Sequence, residues 1–476
     1  MEFNPFQKKF RKGEKKVALV YPNRYVGGIA NVGLQLLYAK INEFAHCERF
    51  YLDVFGGLRS IESGTKLSEF DLALFSLQYE NDYFKAVEII RKSNFSGMKI
   101  AGGPCVMENP RPIMKFFDAV FIGEAEDCIE EIVMAKDVKE LRGIEGIFTG
   151  VEEKVRRVFS KLGKHIEDEI IGDGAYGRCF LLEIGRGCVR KCTFCLVRQI
   201  YSPPRWRKIE DLPEIKEVKK VAIIAPSPTD HPRFREILQY FVERGFEISP
   251  SSIRADAVDE ELVEILRRGK VRTLTLAPET ASKNLSEFLK KEISFEDVKN
   301  AVEISANVFE KLKLYYMIGI PGEKEEDVRM IVENAAFFKK FIRRVEISVN
   351  PLVPKPHTPL QWFPFADLRE LSRKISILEM ECRKHGIEFS RPNLKEFVIQ
   401  TILARGDESV SEMILGKNYK NFMQFLKAFE IEKTLPWDFI DHGYKKSRLE
   451  MEYLKLLEFL DKSYKPMGES FLGPVA

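Results

Sequence analysis

Three cysteines, Cys188, Cys192 and Cys195, stand in a C-x-x-x-C-x-x-C spacing within the stretch LLEIGRGCVRKCTFCLVR, residues 181–198. Thiolates are soft donors, so three on one short loop suit zinc or an iron–sulfur cluster rather than a hard cation. A structural zinc site needs a fourth ligand, and no histidine or further cysteine lies nearby in sequence. Cys179 belongs to the apolar run CFLLEI (179–184), which reads as a buried strand ending just before the loop. If the metal is a four-iron cluster, one iron has no protein ligand and is open to a substrate-like molecule.

The elements that must hold this loop fall into two αβ series. In the first, VALVYP (17–22), RFYLDVF (49–55), DLALFSLQY (71–79), KIAGG (99–103) and DAVFIG (118–123) read as strands separated by helical periodicity. Short continuous apolar runs alternating with helices predict a doubly wound, Rossmann-like parallel sheet over residues 15–140. Gly27-Gly28 and Gly102-Gly103-Pro104 follow strand ends, the edge at which such sheets bind ligands. Residues 141–178 read as a polar connector, a small hairpin or linker. A second series over 179–360 supplies six candidate strands at 179–184, 220–226, 247–255, 273–278, 312–320 and 344–352. Six βα units in succession predict a partial (β/α)6 barrel, with the cysteine loop at the carboxyl end of its first strand, where barrel chemistry sits. Residues 361–476 read as a helical extension packed on the barrel, ending in a loose tail.

Composition sets bounds. A chain of 476 residues, 45% apolar and 31% charged, is long enough for two or three domains. A net charge of +3 does not point to nucleic acid, and no run approaches the length of a membrane span. The N-terminus has charge but no apolar core of a signal peptide. Eight cysteines, three of them clustered, are not a disulfide framework and point to a reducing, cytoplasmic location.

With its cysteine spacing, and with Phe194 before the last cysteine, the chain resembles the radical S-adenosylmethionine (SAM) superfamily. The likeness extends through SLQYE (76–80), AGGPCVMENPRP (101–112), GEAED (123–127), APETASKNLSEFLKK (277–291), LKLYYMIGIPGEKEEDV (312–328) and VNPLVPKPHTPLQW (349–362). In these stretches it looks like a family joining a cobalamin-binding-like N-terminal domain to a radical SAM barrel. More distantly, the barrel is similar to those of the tRNA methylthiotransferases and the Elongator-type catalytic subunit.

The resemblance implies a 4Fe–4S cluster on the three cysteines, with SAM on the open iron cleaved by one electron to a 5′-deoxyadenosyl radical. It also implies a low-potential electron donor of flavodoxin or ferredoxin type. Phe194, Ser252, Arg254, Glu279, Thr280 and Gly319 are the candidates for placing SAM, Arg254 through a bidentate pairing with its carboxylate. Cobalamin, if held, would lie along the first sheet's edge at Gly28, Ser76 and Gly102. No D-x-H-x-x-G motif is present to put a histidine on cobalt, so the domain could equally keep the fold without the cofactor. His231 and His357 follow barrel strands and could handle protons, or could be held as structural hydrogen-bonders by the flanking prolines. Tyr201 and the run Arg205-Trp206-Arg207-Lys208 read as a solvated loop, or as a contact for an anionic substrate. The substrate stays open. Beside radical modification, with methyl transfer if cobalamin is held, the alternatives are a tRNA-modifying enzyme and a non-catalytic iron–sulfur protein.

Overall fold

The apolar runs of the first series fold into a single sheet because their side chains alternate between two cores. In the computed structural model, which describes residues 2–162 and 168–464, strand β1 (Lys16–Tyr21) sends Ala18 and Val20 to one core and Val17 and Leu19 to the other. A strand buried on both faces needs no polar alternation, which is why the run KVALVY reads as continuous. With β2 (His46–Tyr51), β3 (Leu72–Ser76), β4 (Met98–Gly102) and β5 (Ala119–Phe121) it forms a parallel sheet in the order β2-β1-β3-β4-β5. The order reverses between β1 and β3, which opens a crevice at the carboxyl ends of the strands. Part of the expected connector joins this sheet: β6 (Ile147–Phe148) pairs antiparallel with β5. The rest is tied elsewhere, since Val155–Arg156 pairs with Ile440–Asp441 near the C-terminus.

The second series builds the partial barrel. Strands β7 (Phe180–Glu183), β8 (Lys220–Ile224) and β9 (Glu247–Pro250) form one parallel sheet. Strands β10 (Thr273–Glu279), β11 (Lys311–Ile318) and β12 (Arg344–Pro351) continue it across a bridge from Ile253 to Leu276. Alternate residues of β11 are buried, so one face packs on helices and the other lines the lumen.

A further parallel strand, β13 (Glu388–Ser390), pairs with β12 and comes from the region expected to be helical. At three residues it is too short for a readable period. The C-terminal extension also grips the first domain as well as the barrel. Asn109 donates to the carbonyls of Ala404 and Gly406 at 2.9 and 2.7 Å, and Arg111 pairs with Glu408 at 2.8 Å. Among the described residues no helix is long and apolar enough to cross a membrane. The expected loose tail at 465–476 lies outside the described residues.

At the seam, Lys355, beyond the end of β12, reaches between two buried carboxylates of the first domain. Its Nζ touches Glu80 and lies 3.1 Å from Glu108. Gln400 of the C-terminal region donates to Glu80 at 3.0 Å. The three regions thus meet on one buried charge cluster.

Candidate functional site

The cysteine loop leaves β7 and returns as Arg205–Trp206, which pairs antiparallel with Gly185–Arg186 and closes the loop at its base. Gly187 has φ +72, and a Cβ there would stand 2.4 Å from the Tyr201 carbonyl, so only glycine fits the neck. The far side of the loop is pinned to the helix Lys283–Leu289. Thr193 N–H donates to the Leu289 carbonyl at 2.9 Å, and Phe194 packs into the apolar cluster of Leu285, Phe288 and Leu456. Arg198 clasps Glu452 of the last helix, Lys446–Tyr464, through two contacts of 3.1 Å. Phe194, a candidate for holding SAM, is therefore an anchor of the loop.

Burial pushes all three thiols upward, Cys192 to about 11. Groups that stabilise the thiolates oppose it. The Arg190 N–H donates to Cys188 Sγ at 3.4 Å, the N–H groups of Val197 and Arg198 face Cys195, and the Lys291 ammonium acts on Cys192 and Cys195. Among the described residues no group of three or more His, Cys, Asp or Glu side chains is placed to hold a metal ion. The thiol-only donor set, supported by N–H groups and a cation, fits a cluster better than zinc.

The sequence candidates separate on the structure. Glu279 ends β10 with φ +69 and pairs with Lys291 at 3.1 Å, both side chains only 15% exposed. Burial raises the Glu279 carboxyl and the Lys291 charge opposes the rise. The pair lies within electrostatic reach of Cys192. Lys291 carries no signal in the sequence; it arrives by the reversal of the intervening helix, which leaves no recognisable spacing.

Arg254 does reach the loop, but its guanidinium is occupied. It pairs bidentately with Asp256 at 2.9 and 2.8 Å and donates to the Lys291 and Glu292 carbonyls. It holds the Lys291 turn, and in this structure Asp256 takes both arms that a pairing with a ligand carboxylate would use. Thr280 lines a separate cavity, not the cysteine loop. Gly319, φ +75, gives its N–H to Glu323 at 2.7 Å and backs onto Ala366 and Leu371, so it forms a corner rather than a ligand contact. Ser252 is half-buried just past β9.

His357 is 5% exposed, and its Nε2 is 3.0 Å from the Glu108 carbonyl. Burial pushes it down to about 3, so it stays neutral and serves the seam instead of handling protons. His231 is likewise buried, between the Arg207 carbonyl and the Arg233 N–H. The basic run is not a solvated loop. Arg207 is buried against the Glu183 carbonyl, and Arg205 grips Glu124 at 2.6 and 2.7 Å.

A cavity of about 340 Å3 lies between the first sheet's carboxyl edge and the root of the cysteine loop. Ser76, Gly102 and Gly123 form one side, and Gly185, Arg186, Gly187 and Tyr201 the other. Gly28 does not line it; a Cβ there would stand 2.3 Å from the Tyr51 ring, so this glycine serves packing. Apolar side chains such as Leu37, Leu74, Ile100 and Phe121 make most of the wall. At the loop end, Arg186 holds Glu183 at 2.7 Å, Glu124 at 3.3 Å and Glu126 at 2.5 Å. No histidine is among its lining residues. The crevice joins an apolar wall and neutral Ser76 and Gln78 on the sheet side to the mutually paired Arg186–glutamate cluster on the loop side, and it is large enough to enclose part of a corrinoid but not the whole of one.

Known proteins resemble this chain in sequence and fold. The family model described as Radical SAM superfamily matches residues 182–335, and that described as Radical SAM proteins, N-terminal matches residues 33–146. An uncharacterized protein of Methanocaldococcus jannaschii is 40% identical over 452 residues, covering 91% of this chain and 98% of its own. A putative methylthiotransferase of that organism is 24% identical over 67% of this chain and 75% of its own. Among solved structures, the radical SAM methyltransferase TsrM of Kitasatospora setae, with cobalamin and a 4Fe–4S cluster bound, superposes with a TM-score of 0.55. It is 15% identical and the match covers 76% of this chain and 75% of that one.

Proposed function

The chain belongs to the radical SAM superfamily, and on that premise we propose that this enzyme transfers a methyl group with the help of a corrinoid seated between its two α/β units. When bound, a 4Fe–4S cluster with SAM on its open iron supplies reductive cleavage to methionine and a 5′-deoxyadenosyl radical, and a corrinoid supplies a methyl carrier.

The residues divide the work. Cys188, Cys192 and Cys195 give up their protons to hold the cluster, and the raised thiols make loading release protons. The Glu279–Lys291 pair presents one carboxylate and one ammonium beside Cys192, complementary to the ammonium and carboxylate of an amino acid. Arg254 holds the Lys291 turn in place. The apolar walls of the crevice exclude water, and Arg186 joins the first domain's Glu124 and Glu126 to the loop two residues before Cys188.

One observation carries the reading: a single cavity is bounded by Ser76 and Gly102 on the first sheet and by Gly185 to Gly187 at the root of the cysteine loop. A ligand there touches both units at once. The likeness to a cobalamin-binding methyltransferase over both units supports the same reading. The test is anaerobic reconstitution with iron, sulfide and hydroxocobalamin, followed by SAM and a low-potential reductant. Retained corrinoid and released 5′-deoxyadenosine are expected. A protein that retains no corrinoid after gel filtration would contradict the methyl-transfer reading.

A further inference from the structure

Side chains of a strand alternate between its faces. At the end of β10, Glu279 is directed to the cysteine loop, while Pro278 and Thr280 line a second cavity of about 570 Å3 among the surrounding helices. The helices Lys283–Leu289, Phe295–Ile304 and Glu325–Phe338 enclose it.

Neutral polar groups line its depth, and two of them, on Tyr316 and Ser282, have no side-chain hydrogen-bond partner among the described residues. Tyr316 is 3% exposed, and its hydroxyl makes no hydrogen bond among the described residues. Ser282, 8% exposed, heads a helix without its side chain capping it. Thr280, 5% exposed, uses its Oγ1 to accept from the Ser282 N–H at 3.2 Å, which leaves the hydroxyl proton uncommitted. Asn334 lines the same space. Buried polar groups are as a rule hydrogen-bonded, so two such side chains around one cavity, with the uncommitted Thr280 proton beside them, make a built donor and acceptor set.

The chemistry of the walls narrows the ligand. Phe295 and Phe338 stack at 5.8 Å with 20° between their planes, giving one aromatic side. Of the charged lining residues, Lys283, Glu287, Glu292 and Glu296 are exposed at the rim, Lys290 is half-buried, and Asp297 is committed to the Ser294 capping box, so the fully buried side chains of the wall are uncharged. A full charge carried into the depth would be desolvated without a counter-ion, so the part that enters is neutral. A planar ring with polar edges meets these demands, and the volume exceeds that of a base alone. We propose that this cavity is a second ligand site that binds a nucleoside, its base against the Phe295–Phe338 pair and its polar edges on Tyr316, Ser282, Thr280 and Asn334.

The site is separate from the cysteines, so its test is independent of the proposed reaction. The full chain is titrated by calorimetry with adenosine and with uridine, as wild type and as Cys188→Ala. Saturable one-to-one binding of either nucleoside is expected, the same in both proteins. Tyr316→Phe, which removes only the hydroxyl, should weaken it about fivefold, and Tyr316→Phe with Asn334→Ala about twentyfold. Absence of binding at millimolar nucleoside overturns the proposal. So does binding unchanged in the double variant, and so does binding lost in Cys188→Ala, which would place the nucleoside at the cysteine loop.

Discussion

Replacing Lys355 with methionine tests whether the seam between the first domain and the barrel is held as described. The change keeps most of the side chain's volume and removes its charge. Glu80 and Glu108 are 2% and 1% exposed, and Lys355 is the cation that meets both. Burial pushes Glu108 well up and Lys355 down to about 7, and the attraction between opposite charges in contact works against that cost. Breaking a buried pair from one side costs about 3–5 kcal/mol, because a charge stays behind without its partner. The loss should fall mainly on Glu108: Glu80 keeps Gln400 Nε2 at 3.0 Å, while Glu108 Oε1 has no partner even before the change.

The assay is equilibrium urea unfolding followed by tryptophan fluorescence, since Trp362 and Trp437 are buried beside this seam, Trp437 donating to Gln361 at 2.9 Å. Lys355→Met should lose about 4 kcal/mol, and adding Glu108→Gln should return most of it. The sign with pH follows from the direction of the shift. A carboxyl whose folded pKa is raised keeps its stability at low pH and loses it as pH rises through the folded value. The deficit of Lys355→Met should therefore be larger at pH of about 8 than at about 5. A loss under about 1 kcal/mol, or no recovery with Glu108→Gln, would refute the reasoning.

Three other predictions concern the site and the barrel. Any one of Cys188→Ala, Cys192→Ala or Cys195→Ala should abolish the broad absorbance near about 400 nm after anaerobic reconstitution, and metal analysis should show iron falling with sulfide. Lys291→Met should weaken SAM binding about tenfold or more, and Glu279→Gln likewise, while iron content stays unchanged; equilibrium dialysis with labelled SAM measures both. Glu323, buried against Lys374 at 2.9 Å, is raised to about 7, chiefly by burial. Stability should thus decline as pH rises from the usual carboxylate range through about 7, and Glu323→Gln should flatten that part of the curve measured by thermal unfolding.

Much of the architecture is legible because its signals are local. The cysteine spacing, the apolar run before it and the alternation of strands with helical periods each lie within one stretch of chain. Ser76 and Gly102 line the crevice because strand ends form the open edge of a parallel sheet. What the sequence hides depends on contacts between distant segments. Lys291 meets Glu279 only after a helix folds back, and Arg186 finds Glu124 and Glu126 across the domain seam. Arg254 misleads for the opposite reason: Asp256, two residues on, takes both arms of its guanidinium. For His357 the flanking prolines allow either a proton-handling or a structural role, and burial by the first domain and the C-terminal region selects the structural one. Gly28 shows the limit of reading a glycine by position alone, because the Tyr51 ring, not a ligand, occupies the space a side chain would need.

The central claim is that the cysteine loop holds a 4Fe–4S cluster that binds and cleaves SAM. Its most direct measurement is an anaerobic electron paramagnetic resonance spectrum of the reduced, reconstituted protein, taken with and without SAM, alongside chromatographic detection of 5′-deoxyadenosine. The account predicts a 4Fe–4S signal that shifts when SAM is added and 5′-deoxyadenosine that accumulates with reductant. A signal indifferent to SAM, with no 5′-deoxyadenosine formed, would contradict it.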